Sequence, residues 1–137
     1  MNKAVLFIFY DDKTRKVLSE ERLPTDIYYP LQKIFPSGKV KPGEEDNLEK
    51  TLFREVYEEL NVIPKEYFEL KSKMPIIGDK NESILYPFFI TKWEGDLPAK
   101  VLDKGNILVW ETLEEAAASP VKTRSIIVKL IKEFLLT

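Results

Sequence analysis

Apolar and polar positions change period several times along the chain, and each change marks an element. Residues 4–10, AVLFIFY, run apolar without a polar break and are rich in β-branched and aromatic side chains. This predicts a strand over residues 3–10 buried on both faces. DDKTRK (11–16) reads as a turn and VLSEERL (17–23) as its hairpin partner. DIYYPLQKIF (26–35) lies among Pro24, Pro30 and Pro36, which leave room only for short extended pieces and loop. In PSGKVKPGEED (36–46), Pro42 and Gly43 take the central positions of a predicted turn. Leu48, Leu52, Val56 and Leu60 then recur every four residues with Phe53 beside them, the signature of an amphipathic helix.

Asp46, with Glu49 three residues on, is the predicted N-cap of that helix in a capping box. Asn61, tolerant of the left-handed conformation, is its predicted end. Extended patterns return over residues 67–77 and 83–93, around the turn GDKNE, and a loop with an extended piece covers 94–106. ILVW (107–110) predicts a further strand and residues 112–119 a short helix. Pro120 opens a final helix whose apolar stripe is Val121, Ile126, Ile127, Leu130, Ile131 and Phe134. The order strands, helix, strands, helices predicts an α+β fold, a mixed α/β sandwich, in one domain over residues 1–137. There is no internal repeat, low-complexity tract or linker.

Composition narrows the chemistry. At 44 % hydrophobic, 137 residues can bury one core. Basic and acidic residues, 21 and 23, are well mixed, which argues against an extended nucleic-acid or acidic-membrane surface and leaves room for a local basic pocket. The chain has no cysteine, so disulfides, thiolate metal sites and cysteine nucleophiles are excluded. It has no histidine, so acid–base and metal chemistry falls to Asp, Glu, Lys and Tyr. The first apolar run is short and lacks a cleavage site, and no run approaches the ~20 residues of a membrane span. The expectation is a soluble cytoplasmic protein.

Within REVYEEL (54–60), at ~100° per residue, Glu55, Glu58 and Glu59 share one arc at the shoulder of the apolar face, where side chains line a cleft. Acidic helix faces are commonly just solvated, with Lys or Arg at i±3 or i±4. Here Glu58 has Arg54 in the less favourable order, and Glu55 and Glu59 have no such partner. Glu55 instead faces both other glutamates, at a cost of roughly 0.5–1 kcal/mol. The arc is compatible with a solvated face and with a divalent-cation site. All-oxygen ligands suit a hard ion such as Mg²⁺ or Mn²⁺ that bridges to substrate phosphates.

Residues 38–62, GKVKPGEEDNLEKTLFREVYEELNV, resemble the Nudix box, usually written G-x5-E-x7-R-E-U-x-E-E-x-G-U with U a bulky aliphatic residue. Gly38 and Glu44 match its first half; Arg54, Glu55, Val56, Glu58, Glu59 and Val62 match its second half in register. Nine residues rather than seven separate Glu44 from Arg54, so both Glu44 and Asp46 stand as candidates for the first acidic position. Asn61 replaces a glycine, and Ser37-Gly38 stands where the family has Gly-Gly.

The resemblance implies the Nudix fold, with a central mixed β-sheet packed between helices. It also implies a pyrophosphohydrolase that splits a nucleoside diphosphate linked to another group. It assigns Mg²⁺ (or Mn²⁺) to Glu55, Glu58 and Glu59 with help from the Ser37 or Gly38 carbonyl. Arg54 becomes an organiser of a neighbouring carboxylate, against the alternative of a surface pair with Glu58. A further loop acid is sought among Glu82, Glu94, Asp96 and Asp103, with Asp103 favoured because it precedes the ILVW strand. Lys39 and Lys41 are candidates for phosphate contact, although solvated lysines would read the same, and Tyr28, Tyr29, Phe89 and Trp93 are candidates for base stacking, although such residues are more often core than ligand. Small size and the KWEGDLP…LVW arrangement look most like the MutT-like members that cleave nucleoside triphosphates. The alternatives are an ADP-ribose or nucleotide-sugar hydrolase and a non-catalytic nucleotide-binding or sensor domain; a homodimer is compatible with the resemblance.

Overall fold

The computed structural model describes residues 2–137. Its sheet is organised around β1 (Asn2–Asp11), which runs parallel to β7 (Ser83–Glu94) in register from Asn2↔Ser83 to Phe9↔Ile90. On its other side β1 pairs antiparallel with β2 (Lys16–Glu21) at one end and with β4 (Ser37–Lys39) at the other. β2 leaves β1 after two residue pairs and continues against β8 (Leu108–Thr112) and β3 (Lys33–Ile34). β5 (Ile63–Glu69) and β6 (Ile76–Ile77) pair with β7, completing an eight-stranded mixed sheet.

The uninterrupted apolar run of β1 is explained by what lies on each side of it. Val5, Phe7 and Phe9 face one way and pack with Leu52, Val56 and Leu60 of α1 (Leu48–Leu60). Leu6, Ile8 and Tyr10 face the other and pack with Leu113 and Ala116 of α2 (Leu113–Ala117) and with Ile127, Val128 and Ile131 of α3 (Lys122–Leu135). Side chains alternate across a strand, so a strand sandwiched between helices is apolar at both parities. This is the expected α+β sandwich, with the sheet between helices. Among the described residues no helix is long and apolar enough to cross a membrane.

Several boundaries differ from the sequence reading. The N-cap of α1 is Asn47, whose side chain accepts from the Lys50 amide, while Asp46 is exposed. The two extra residues before the helix are absorbed in the turn that closes from the Asn47 amide to the Glu44 carbonyl at 2.9 Å. Asn61 does cap the C-terminus, left-handed at φ 55°. β5 starts at Ile63 and ends at Glu69, so residues 70–75 are not strand; Pro64 is tolerated because β5 is an edge strand with shifted register beside it. α3 starts after Val121, which offers no side-chain cap; Asp79, from the turn before β7, accepts from the Lys122 and Thr123 amides instead. Ile126 is exposed, and Thr123 and Arg124 take buried positions on the face of α3 that Ile127 and Ile131 share.

Candidate active site

α1 crosses the sheet close to β4 because Gly38 has no side chain. A Cβ there would stand 2.1 Å from Glu55 Cγ, so only glycine lets the Glu55 stem lie against the β4 backbone. One turn later on the helix, Glu58 is half exposed and Glu59 is buried. The end of the helix is tied to the loop before β8 by a bond from the Leu102 amide to the Glu59 carbonyl (2.9 Å), which brings the next two residues, Asp103 and Lys104, to the same opening. The result is a cleft of about 480 Å³ that Ser37, Gly38 and the three glutamates share with Asp103.

Arg54 holds the acidic group in place. Its Nε donates to Glu44 Oε2 (2.9 Å) and its Nη2 to Glu44 Oε1 (2.8 Å), a two-point grip, while Nη1 donates to Glu55 Oε1 (2.7 Å). Nη2 also donates to the Lys39 carbonyl (3.0 Å), linking helix to strand. Glu44 accepts in addition from the Lys41 amide and the Thr51 hydroxyl. Between Glu44 and Asp46, therefore, Glu44 is the acid that engages the arginine. The Arg54–Glu58 approach is longer, 3.6 Å. Helical spacing alone could not anticipate the Arg54–Glu55 bond, since adjacent helix residues do not face each other. It forms because the guanidinium is drawn round the helix by Glu44.

These contacts separate the carboxyl groups electrostatically. The Arg54 hydrogen bonds hold Glu44 down, to about 2. Glu59 is pushed up to about 9, chiefly by burial; Lys104 opposes the shift, while the nearby carboxylates of Glu55 and Glu20 add to it. Glu20, buried near enough for its charge to act on Glu59 and bonded by Asn106 Nδ2 (2.7 Å), is also raised by burial. Among the described residues no three carboxylates already converge at ligating distance. The donor set nevertheless fits a hard dication: it is all oxygen, and Glu59 Oε1 is buried with no hydrogen-bond partner among the described residues.

The two shifts act on stability in opposite senses. Glu59 binds its proton more tightly folded than unfolded, so stability falls as pH rises from about 4.5 to about 9. Glu44 is the reverse, and its contribution is lost as pH drops from about 4.5 to about 2. Metal-free protein is thus expected to lose melting temperature on raising pH from about 5 to about 9, and Mg²⁺ to restore more of it at the alkaline end. Thermal melts with and without Mg²⁺ check this; a rise in stability over that pH range would contradict it.

The remaining sequence candidates divide clearly. Lys39, Lys41, Tyr28, Tyr29, Glu82 and Asp103 all line the cleft, with the Tyr29 hydroxyl donating to Glu82 Oε1 at 2.5 Å. Phe89 is fully buried in the core, and Trp93 packs on Phe9 and Trp110, so neither reaches it. Glu94 pairs with Lys65, and Asp96 is exposed; neither is part of the cleft wall. Sequence reasoning missed Lys104, Arg22, Glu20 and Arg124. Only Arg124 carried a signal, as a charge three residues before Ile127 and seven before Ile131 on an apolar helix face.

The NUDIX domain model matches residues 1–134. Solved structures agree in fold. A MutT NUDIX hydrolase from Burkholderia pseudomallei superposes with TM-score 0.70 at 18 % identity, covering 95 % of this chain and 97 % of that one. The NUDIX domain of Shewanella oneidensis NrtR, solved with ADP ribose, gives 0.71 at 16 %, covering 96 % and 86 %. A Caenorhabditis elegans Ap4A hydrolase gives 0.65 at 17 %, covering 98 % and 96 %. A search of curated proteins gives no match. With the box in register on α1 and the domain match running almost end to end, the chain belongs to the Nudix family. It is a Nudix hydrolase, an enzyme acting on pyrophosphate bonds.

Proposed function

We propose that this hydrolase is a Mg²⁺-dependent (or Mn²⁺-dependent) nucleotide pyrophosphohydrolase whose preferred substrate is a nucleoside triphosphate or a related nucleotide. The observation that carries this is the buried Glu59 carboxyl, its Oε1 unpartnered, beside a Glu55 that Arg54 holds in place at the mouth of a nucleotide-sized cleft. Glu55, Glu58 and Glu59, with the Gly38 or Ser37 carbonyl, would hold the cation. A dication there supplies charge neutralisation for the diphosphate and makes phosphorus more electrophilic.

The chain's own groups do the rest. Arg54 is a positioning residue, fixing Glu55 through charge-assisted bonds. Lys39 and Lys41 meet phosphate oxygens, and Asp103, which lines the same cleft, is the loop acid. A carboxylate of this cluster takes the proton of the attacking water as its oxygen bonds to phosphorus. The bridging P–O bond breaks, and the leaving phosphate carries the bridging oxygen away. With no histidine in the chain, a carboxylate is the natural base. Retention of all three box glutamates disfavours a purely binding or sensing role.

The test is incubation with Mg²⁺ and a panel of nucleoside triphosphates, ADP-ribose and diadenosine polyphosphates, with the phosphate products identified. Nucleoside monophosphate and pyrophosphate from a triphosphate are expected. Cleavage of ADP-ribose alone would move the substrate to the nucleotide sugars, and no cleavage of any member would overturn the proposal.

A further inference from the structure

The cleft reaches both faces of the sheet. The glutamates enter it from α1, whereas Arg124 enters from α3 on the opposite face, among Leu6, Phe35, Leu85 and Ile127. This part of the cleft is rich in apolar side chains, and Arg124 is the charged group among them that comes from α3. Arg124 is 2 % exposed, and its guanidinium lies 4.6 Å over the Phe35 ring. Nη2 is fully engaged, donating to Ser19 Oγ (2.7 Å) and Glu111 Oε1 (2.8 Å). Nε and Nη1 are buried and have no hydrogen-bond partner among the described residues.

Unpaired buried donors are costly, and a ligand that accepts from them recovers that cost. We infer that Arg124 is the specificity-determining residue of this cleft and selects nucleotides whose base presents a keto oxygen, a 6-keto purine or 4-keto pyrimidine, over their amino counterparts. The inference rests on the reading of the cleft as a nucleotide site.

Three features lead there. Guanidinium has donors and no acceptor, so it pairs with a carbonyl oxygen and opposes an exocyclic amine. Glu111 already neutralises its charge at 2.8 Å, so Nε and Nη1 offer hydrogen bonds without the net positive charge that a phosphate would require. The surrounding apolar side chains suit a flat ring rather than a hydrated anion. The phosphates then lie toward the lysines and glutamates at the other end.

The test uses metal-free protein and nucleoside monophosphates, so that no hydrolysis is involved. IMP and AMP share a purine frame and exchange the 6-keto for the 6-amino group; UMP and CMP are the pyrimidine pair. By calorimetry, IMP and UMP are expected to bind about tenfold or more tightly than AMP and CMP. In Arg124→Lys, which keeps a cation beside Glu111, the preference is expected to fall to about threefold or less. In wild-type protein the Arg124 guanidinium NMR signals are expected to move with IMP and far less with AMP, a readout that needs no variant. Equal binding of each pair, no binding of IMP or UMP at millimolar concentration, a preference unchanged in Arg124→Lys, or an unmoved Arg124 signal would each overturn the inference. Turnover without keto preference removes this inference alone, and keto preference without turnover removes the hydrolase substrate proposal alone.

Discussion

Glu58→Gln and Glu59→Gln are each expected to lower Mg²⁺-dependent turnover by on the order of a hundredfold while leaving the fold intact. The reason the fold survives differs between them. Glu59 is buried and retains its proton well above the usual carboxylate range, so a neutral amide of the same shape replaces what the metal-free protein already holds. Glu58 is 53 % exposed on its side chain and pairs with Arg54 at 3.6 Å, an ion pair of the kind worth under about 1 kcal/mol. Activity and stability should therefore part company. Initial rates on whichever nucleotide wild-type protein cleaves, measured beside thermal melts, decide the matter. Near-wild-type rates in both variants would remove these residues from the mechanism.

Glu44→Ala is expected to do the opposite and strike both properties together. The carboxylate serves the Lys41 amide, the Thr51 hydroxyl and two nitrogens of Arg54, and its removal leaves all of them without this acceptor. Breaking a buried hydrogen-bonded pair from one side costs about 3 kcal/mol, read as a lower denaturant midpoint at constant slope. Arg54, freed from its two-point grip, no longer presents Nη1 to Glu55, and turnover is expected to fall at least tenfold. Glu44→Gln, which keeps one oxygen to accept, should lose less than half as much stability. A loss below about 1 kcal/mol in the alanine variant would show that Arg54 does not depend on this partner.

The elements were legible where one face of local sequence decides them. The two apolar parities of β1 implied helices on both sides of the sheet, and the four-residue recurrence from Leu48 to Leu60 placed α1 within its observed bounds. Asn61 announced the left-handed end of that helix. What local sequence could not carry was settled by partners distant along the chain. Asp79 caps α3 across 43 residues, and the choice of Glu44 over Asp46 depends on where the Arg54 guanidinium arrives. The cleft followed the same division. Ser37, Gly38, Lys39, Lys41, Asp103 and the three glutamates are neighbours of the box or of a loop acid, and they meet in one place. Arg124 meets them only because the sheet brings α3 to the same opening; its pairing with Ser19 spans 105 residues.

The parallel pairing of β1 with β7 has a consequence for biosynthesis. Each pairing joins residues 81 positions apart (83 − 2), so β1 waits for the synthesis of β7 before its central hydrogen-bond ladder can close. Loop closure over such distances slows folding, and in the interval the seven buried residues from Ala4 to Tyr10 have only the short pairings with β2 and β4 to cover a sticky, strand-prone segment. The β1 segment is therefore the part of the nascent chain most vulnerable to aggregation, and chaperone binding should concentrate there rather than on α1.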